Sequence, residues 1–133
     1  MGKNNLNTEK IIEYWESSSD MDFNTMMNLY KSRDYHWALF IGHLVLEKLL
    51  KALYVKRKNE HPVFIHDLLR LTKKIGIEIN DKQADMLDTI TTFNINARYD
   101  NYKQDFYKLC TKEFTDTWIN NITELRQWIK EQF

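Results

Sequence analysis

The sequence predicts an all-α fold, an up-and-down helical bundle of four long helices and one short helix. Apolar side chains recur at helical spacing along most of the chain. Glycine and proline are scarce, with three glycines and one proline in 133 residues, whereas β-rich folds need many turn residues. The predicted helices are separated by short links, which favour antiparallel packing of consecutive helices.

The first two predicted helices are long and adjacent in the chain. Helix one is expected at about residues 8–32, with Asn7 or Thr8 as its N-cap; a serine run at 17–19 weakens its middle without breaking its period. Helix two is expected at about residues 34–58. Because residues 37–46 are apolar on nearly every side, helix two should be the central helix around which the others pack.

The next two helices are marked by their boundaries. A short third helix is expected at about residues 64–74, with Gly76 at its C′ position. Helix four should begin near Asn80 or Asp81 and run to about residue 96. Its segment 89–94 has poor helix propensity, which predicts a bend or an early end.

The last helix carries the clearest apolar stripe. Its spacings of four, four, three and four residues are typical of one helical face, formed by Phe114, Trp118, Ile122, Leu125 and Ile129. Phe106 and Cys110 could extend this stripe backwards, and residues 97–104 fit neither a helix nor a loop clearly.

Composition excludes several classes of protein. Nineteen basic and nineteen acidic side chains give a formal net charge of zero, which argues against a dedicated nucleic-acid-binding coat. A single cysteine rules out an intrachain disulfide, and no apolar run approaches the length of a membrane span. The start of the chain lacks the pattern of a signal peptide. We therefore expect one cytoplasmic domain over residues 1–133, with residues 1–7 flexible and no membrane association.

Polar residues interrupt the apolar faces of helices one and two. Ser19 and Asp22 lie on the apolar face of helix one, and His43, Glu47 and Lys51 follow one another at i, i+4 and i+8 on helix two. A buried carboxylate without a partner is expensive. Glu47 therefore requires either an ion-pair partner or a wet cleft.

Arg98 is the natural candidate for that partner. It follows the weak segment of helix four and could reach Glu47 or Asp22 across a polar groove between helices one, two and four. Two alternatives remain open: Glu47 and Lys51 could form a surface pair, and Asp22 with Ser19 could reflect local polarity around a kink.

The remaining candidates favour structural roles. His43 fits a hydrogen-bonded structural histidine as well as a functional one. His43 and Glu47 have the spacing of metal ligands, but two ligands without a third do not make a site, so no metal or cofactor is predicted. His66-Asp67 is interpreted as a helix cap, and Cys110 as a core residue.

Four segments together resemble the HEPN domain family of prokaryotic helical bundles, over about residues 11–131. They are Tyr14-Trp15 followed by Asp22; residues 33–40 with the Glu-Lys-x-x-Lys-Ala sequence of residues 47–52; residues 66–71; and Ala97-Arg98-Tyr99-Asp100. The resemblance implies a helical domain that forms homodimers and is often encoded beside a minimal nucleotidyltransferase, in toxin–antitoxin-like pairs.

Active members of this family are metal-independent ribonucleases, and their motif is an arginine followed after four to six residues by a histidine at the dimer interface. Arg98 matches the arginine. The positions for the histidine hold Lys103, Gln104 and Asp105, and no histidine occurs after His66.

The leading hypothesis is a dimeric accessory protein that binds a nucleotide or RNA phosphate and pairs with a minimal nucleotidyltransferase. The alternatives are a divergent ribonuclease that uses Arg98, and a purely structural interaction module. The residues expected to bind the phosphate-bearing ligand are Asp22, His43, Glu47, Lys51, Arg98, Tyr99 and Lys103.

Overall fold

The computed structural model describes residues 7–133, and the regular structure in this part of the chain consists of six α-helices. The expectation that residues 1–7 are flexible lies outside the described residues except at Asn7. The Asn7 side chain accepts a hydrogen bond from the backbone N–H of Lys10 and caps the first helix. Between residues 7 and 133, no helix has both the length and the apolar character needed to cross a membrane.

Helices α1 (Thr8–Lys31) and α2 (Tyr35–Lys58) form the most extensive helix–helix contact of the fold. The short link between them turns at Arg33, whose φ of 67° places its backbone in the left-handed region. The serine run does not interrupt α1, because Ser19 turns its hydroxyl inward and donates to the Val45 carbonyl oxygen at 2.7 Å. The buried hydroxyl is thereby satisfied within the α1–α2 interface.

Helix α2 is the central helix, as its apolar sequence predicts. It contacts every other helix of the described chain, and its residues from Leu49 to Val55 are all buried. Gly42 lets two neighbours approach closely, since a Cβ atom there would lie 2.5 Å from Ile122 Cδ1 and 3.2 Å from Met26 Sδ. The absence of a side chain at this point therefore helps α1 and the last helix of the chain to pack against α2.

Helix α3 (Leu68–Ile75) begins later than the sequence pattern predicts. The Asp67 side chain accepts from the Arg70 N–H and fixes the start of the helix, so the apolar residues before it lie in a loop. Gly76 ends the helix with a φ of 88°, a left-handed conformation that suits glycine.

Helix α4 (Asp81–Arg98) starts with a capping box formed by Asn80 and Gln83. The expectation that α4 ends early in segment 89–94 is wrong, because the helix continues to Arg98. Thr91 accounts for part of this result: its hydroxyl donates to the Leu87 carbonyl oxygen and accepts from the Leu68 N–H. A tertiary contact with α3 thus offsets the weak intrinsic helix propensity of this segment.

The end of the chain forms two helices, α5 (Asp100–Leu109) and α6 (Lys112–Glu131), so the bundle has four long helices and two short ones. The prediction of a single short helix is wrong here. Phe106 and Cys110 are both buried, but Thr111 accepts from the Phe114 N–H and starts a separate helix. Phe106, Cys110 and Phe114 are each four residues apart, so in the sequence the break between α5 and α6 looks like part of one continuous helix.

A cluster of aromatic rings joins α4, α5 and α6. The Phe93 ring centroid lies 5.4 Å from that of Phe106, 6.3 Å from that of Phe114 and 5.6 Å from that of Trp118. These distances are typical of favourable aromatic pairs. Phe93 of α4 therefore contacts both α5 and α6.

We expect Phe93→Ala to lower the free energy of unfolding by about 3–5 kcal/mol, since it leaves a cavity inside this cluster. The matched control is Phe64→Ala, which removes a side chain that is 99% exposed and should change stability by less than about 0.5 kcal/mol. Urea denaturation followed by circular dichroism measures both. Equal losses for the two variants would contradict the assignment of Phe93 to the core.

Candidate functional site

Glu47 lies at the centre of a buried polar cluster on α2. Its side chain is 6% exposed; Lys51 Nζ lies 2.8 Å from Oε2, and His66 Nδ1 lies 2.9 Å from Oε1. Burial by itself would raise the pKa of Glu47, but the hydrogen bonds from Lys51 and His66 outweigh it and hold the pKa below its usual value. Glu47 is therefore ionised at neutral pH.

The ionised carboxylate determines how the His66 imidazole is oriented. A carboxylate can only accept hydrogen bonds, so the His66 Nδ1–H group donates a hydrogen bond to Glu47 Oε1. The His66 side chain is 67% exposed, and its Nε2 has no hydrogen-bond partner among residues 7–133. One nitrogen is thus fixed by the protein and the other is available to a ligand.

His43 connects this cluster to α4. Its Nε2 donates to the His66 carbonyl oxygen at 2.8 Å, because a carbonyl oxygen can only accept. Its Nδ1 must then accept, and Asn94 Nδ2 donates to it at 3.2 Å. Burial lowers the pKa of His43 despite the nearby Glu47 carboxylate, which agrees with a neutral imidazole. His43 therefore has a structural role, which the sequence left open. It connects the 59–67 loop to α4.

Arg98 is held by the same asparagine. Its Nε donates to the backbone and side-chain oxygens of Asn94, at 3.1 Å each, and its Nη2 also donates to Asn94 Oδ1. Because arginine only donates, the amide oxygen of Asn94 faces Arg98 and its amide nitrogen faces His43. We call the hydrogen-bonded network that joins the exposed residue Arg98 to the exposed residue His66 the polar chain. Its members are Arg98, Asn94, His43 and His66, together with Glu47, which accepts from the His66 imidazole, and Lys51, which donates to Glu47.

The predicted direct contact between Arg98 and a carboxylate is not formed. Arg98 bonds neither Glu47 nor Asp22 and is connected to the Glu47 cluster only through Asn94 and His43. The surface-pair alternative for Glu47 and Lys51 is also wrong, because both residues are 5% exposed. The buried charge of Glu47 is compensated inside the protein rather than in an open groove.

Asp22 belongs to a separate contact between α1 and α2. Lys48 Nζ lies 2.7 Å from Asp22 Oδ2 and donates to Ser18 Oγ at 2.8 Å. This pair is partly exposed and is not hydrogen-bonded to the polar chain. The polar chain contacts α1 through Lys51, whose Nζ lies 5.3 Å from the centroid of the Trp15 ring.

The other candidates lie near the ends of the polar chain or away from it. Tyr99 packs beside Arg98, with the guanidinium carbon 5.4 Å from the ring centroid. Lys103 Nζ lies 5.2 Å from the Trp37 ring centroid, a cation–π contact outside the polar chain. Burial raises the pKa of the Cys110 thiol to about 12, as befits a core residue. The described residues contain no cluster of three or more metal-ligating side chains.

Sequence reasoning missed two members of the polar chain, Asn94 and His66. Asn94 lies four residues before Arg98, a helical spacing that brings the two side chains together. The sequence pattern favours capping for His66 together with Asp67, whereas Asp67 alone caps α3. Only the packing of the 59–67 loop against α2 brings the His66 imidazole to Glu47.

We expect His43 to make stability fall in acid. Because its pKa is lowered in the folded state, the unfolded chain takes up a proton below about pH 6.5 that the folded protein excludes. The free energy of unfolding should then decrease by up to about 1.4 kcal/mol per pH unit below this value.

Urea denaturation at several pH values measures this slope. His43→Gln should lose the contribution between about pH 6.5 and pH 5, whereas His61→Gln, at an exposed position, should retain it. A wild-type slope that persists in His43→Gln would contradict a neutral, buried His43.

The arrangement of helices is shared with a solved structure. The crystal structure of TT1696 from Thermus thermophilus superposes with a TM-score of 0.78 at 14% sequence identity, covering 92% of this chain and 98% of that chain. At this identity the likeness shows a common fold alone. No curated protein matches the sequence. A sequence model of the HEPN domain matches residues 12–132, nearly the whole chain, and the chain therefore belongs to the HEPN domain family.

Proposed function

We propose that this HEPN-domain protein is an accessory subunit that binds the phosphate of a nucleotide or of RNA through Arg98, as the partner of a minimal nucleotidyltransferase. The observation that carries the proposal is how the Arg98 guanidinium is held. One edge is fixed by Asn94, and the side chain is at the protein surface.

The fixed edge leaves donors for a ligand. Nε and Nη2 bond to Asn94, whereas Nη1 has no acceptor among the described residues. A planar guanidinium matches two phosphate oxygens, and a side chain that is already held loses less rotamer entropy on binding. Arg98 is thus suited to a phosphate that approaches from solvent.

The charge balance of the polar chain also favours an anion. Glu47 is compensated by Lys51, and no carboxylate in residues 7–133 lies within ion-pair distance of Arg98. The guanidinium charge is therefore left for an external anion. The formal neutrality of the chain is compatible with such a local site, since one phosphate does not require a basic surface.

The surface around Arg98 supports self-association. Ile95, Tyr99 and Tyr102 follow α4 into α5 and are 47%, 54% and 51% exposed. Exposed aromatic and aliphatic side chains close together are typical of protein interfaces. Family membership supports the same conclusion, and we propose that this surface forms a homodimer and brings two Arg98 side chains near one interface.

Calorimetric titration with ATP and with a short single-stranded RNA tests the phosphate site. Arg98→Ala should weaken binding of the better ligand by about 10–100-fold, the range expected for losing a charged hydrogen-bond donor. The matched control is Arg70→Ala, at an exposed position on α3 outside the polar chain.

Two results would refute the phosphate site. One is equal affinity of the wild type and Arg98→Ala for both ligands. The other is the absence of any binding heat at millimolar ligand. If the Arg98→Ala variant also pairs normally with a nucleotidyltransferase, the structural-module interpretation would be the better one.

Sedimentation velocity tests the homodimer. Ile95→Asp places a charge in the proposed interface and should shift the protein to the monomer, while Met21→Asp, at a position 71% exposed on α1, should not. A wild-type protein that sediments as a monomer at micromolar concentration would contradict the dimer.

A further inference from the structure

Asn94 is a buried amide in direct contact with an exposed guanidinium. The residue is 5% exposed on α4, and Arg98 follows it by one helical turn at the surface. The side-chain oxygen of Asn94 accepts from Arg98 Nε at 3.1 Å and from Nη2, and its backbone oxygen accepts from Nε, also at 3.1 Å. Asn94 therefore contacts one edge of the guanidinium, and the opposite edge faces away from it.

The direction of the Asn94 amide is fixed by both of its neighbours. His43 Nε2 donates to the His66 carbonyl oxygen, so His43 Nδ1 must accept, and Asn94 Nδ2 donates to it at 3.2 Å. Arg98 can only donate and therefore requires the amide oxygen. A flipped amide would place its NH2 group against the guanidinium and its oxygen against the lone pair of His43. Only one of the two amide orientations satisfies both neighbours.

The oxygens that hold Arg98 carry no net charge. All of its hydrogen bonds within residues 7–133 end on the side chain or the backbone of Asn94, and no carboxylate in this range forms an ion pair with it. An aspartate at position 94 would offer the guanidinium similar acceptors but would compensate its charge and compete with an external anion. Asparagine supplies the acceptor without the counter-charge.

We propose that Asn94 is a positioning residue of the Arg98 phosphate site, where its neutral oxygen orients the guanidinium and leaves the positive charge to the ligand. This inference rests on the proposed function, since it assumes that Arg98 binds phosphate. It adds a buried residue that acts through Arg98. A long side chain that is held before binding loses less rotamer entropy when the ligand arrives.

Asn94→Leu tests the orientation, because leucine has a similar volume and no hydrogen-bonding group. In calorimetric titration at neutral pH, its affinity for the better ligand of ATP and a short single-stranded RNA should fall about three- to tenfold, the cost of immobilising one long side chain on binding. In the Arg98→Ala background the same substitution should change affinity by less than about twofold. A residue that acts independently of Arg98 would lower affinity equally in both backgrounds, and that result would overturn the proposal.

The matched control is Thr91→Val on the same helix. Thr91 accepts from the Leu68 N–H and donates to the Leu87 carbonyl oxygen, so its substitution weakens the packing of α4 without removing a contact of Arg98. Urea denaturation followed by circular dichroism gives the stability of both variants. Thr91→Val should bind as the wild type does. A similar loss of affinity in Thr91→Val and Asn94→Leu would assign the effect to general destabilisation and contradict positioning.

Nuclear magnetic resonance of the ligand-free protein reports the orientation directly. The backbone oxygen of residue 94 can hold Arg98 Nε in every variant, so the informative group is Nη2, whose acceptor is the amide oxygen. Slow rotation about the Nε–Cζ bond gives separate Nη1 and Nη2 signals, which we expect in the wild type. Asn94→Leu should merge them, and unchanged separate signals would show that the amide does not orient the guanidinium.

Asn94→Asp separates orientation from charge. Its carboxylate can still accept from Nη2, so the two signals should stay separate, while affinity should fall about tenfold because the guanidinium charge is compensated. Circular dichroism confirms that the variant is folded. Wild-type affinity in Asn94→Asp would overturn the requirement for a neutral oxygen.

The failure of this inference can be told apart from failure of the proposed function. If Arg98→Ala loses binding while Asn94→Leu and Asn94→Asp bind as the wild type does, the role of Asn94 is refuted and the phosphate site at Arg98 stands. If Arg98→Ala binds normally, or the wild type binds neither ligand, the proposed function is refuted and the role of Asn94 in phosphate binding falls with it.

Discussion

The buried carboxylate of Glu47 is the constraint on which the rest of the site depends. Glu47 lies on the central helix, where a charge without partners would be strongly unfavourable. It is stabilised by Lys51 from its own helix and by His66 from the following loop. Packing of the 59–67 loop against α2 is therefore tied to an electrostatic requirement, in addition to the apolar contacts that the loop makes.

The same requirement organises α4. Once His66 is held by Glu47, its carbonyl oxygen accepts from His43, and His43 in turn accepts from Asn94. Asn94 then has only its oxygen left, and Arg98 occupies it. From the His66 carbonyl oxygen onward each choice of donor and acceptor forces the next, so the orientation of a surface guanidinium is tied to hydrogen bonds in the core.

Membership of the HEPN family is shown by the sequence, whereas a phosphate-binding role for Arg98 is our proposal. The family is shown by a match to nearly the whole chain. Its ribonuclease motif is incomplete here, because no histidine follows Arg98, and Lys103 packs against Trp37. The imidazole that joins Arg98 through Asn94 is instead that of His43, which is buried in α2, and this is why we favour phosphate binding over cleavage at this site.

The sequence by itself determined the helical class and the central position of α2, and it pointed to Glu47 as a carboxylate that requires a partner or a wet cleft if it is buried. These follow from local periodicity and from the cost of burying charge, which act along a single helix. It also singled out Arg98, but as a direct partner of Glu47 or Asp22, and neither contact is formed. Helix boundaries were less well determined where short-range signals conflict, as at Thr91 and Thr111, where a contact or a cap decides the outcome.

Only the tertiary structure decided which partner Glu47 has and how Arg98 is connected to it. Asn94 and His66 are separated by 28 positions in the chain, and neither lies in a sequence pattern that links it to the other. Hydrogen bonds between them and His43 depend on how the loop before α3 and helix α4 pack against α2. Side-chain polarity can be read from a sequence, but the choice among several polar partners is made by three-dimensional proximity and by the donor and acceptor capacity of each group.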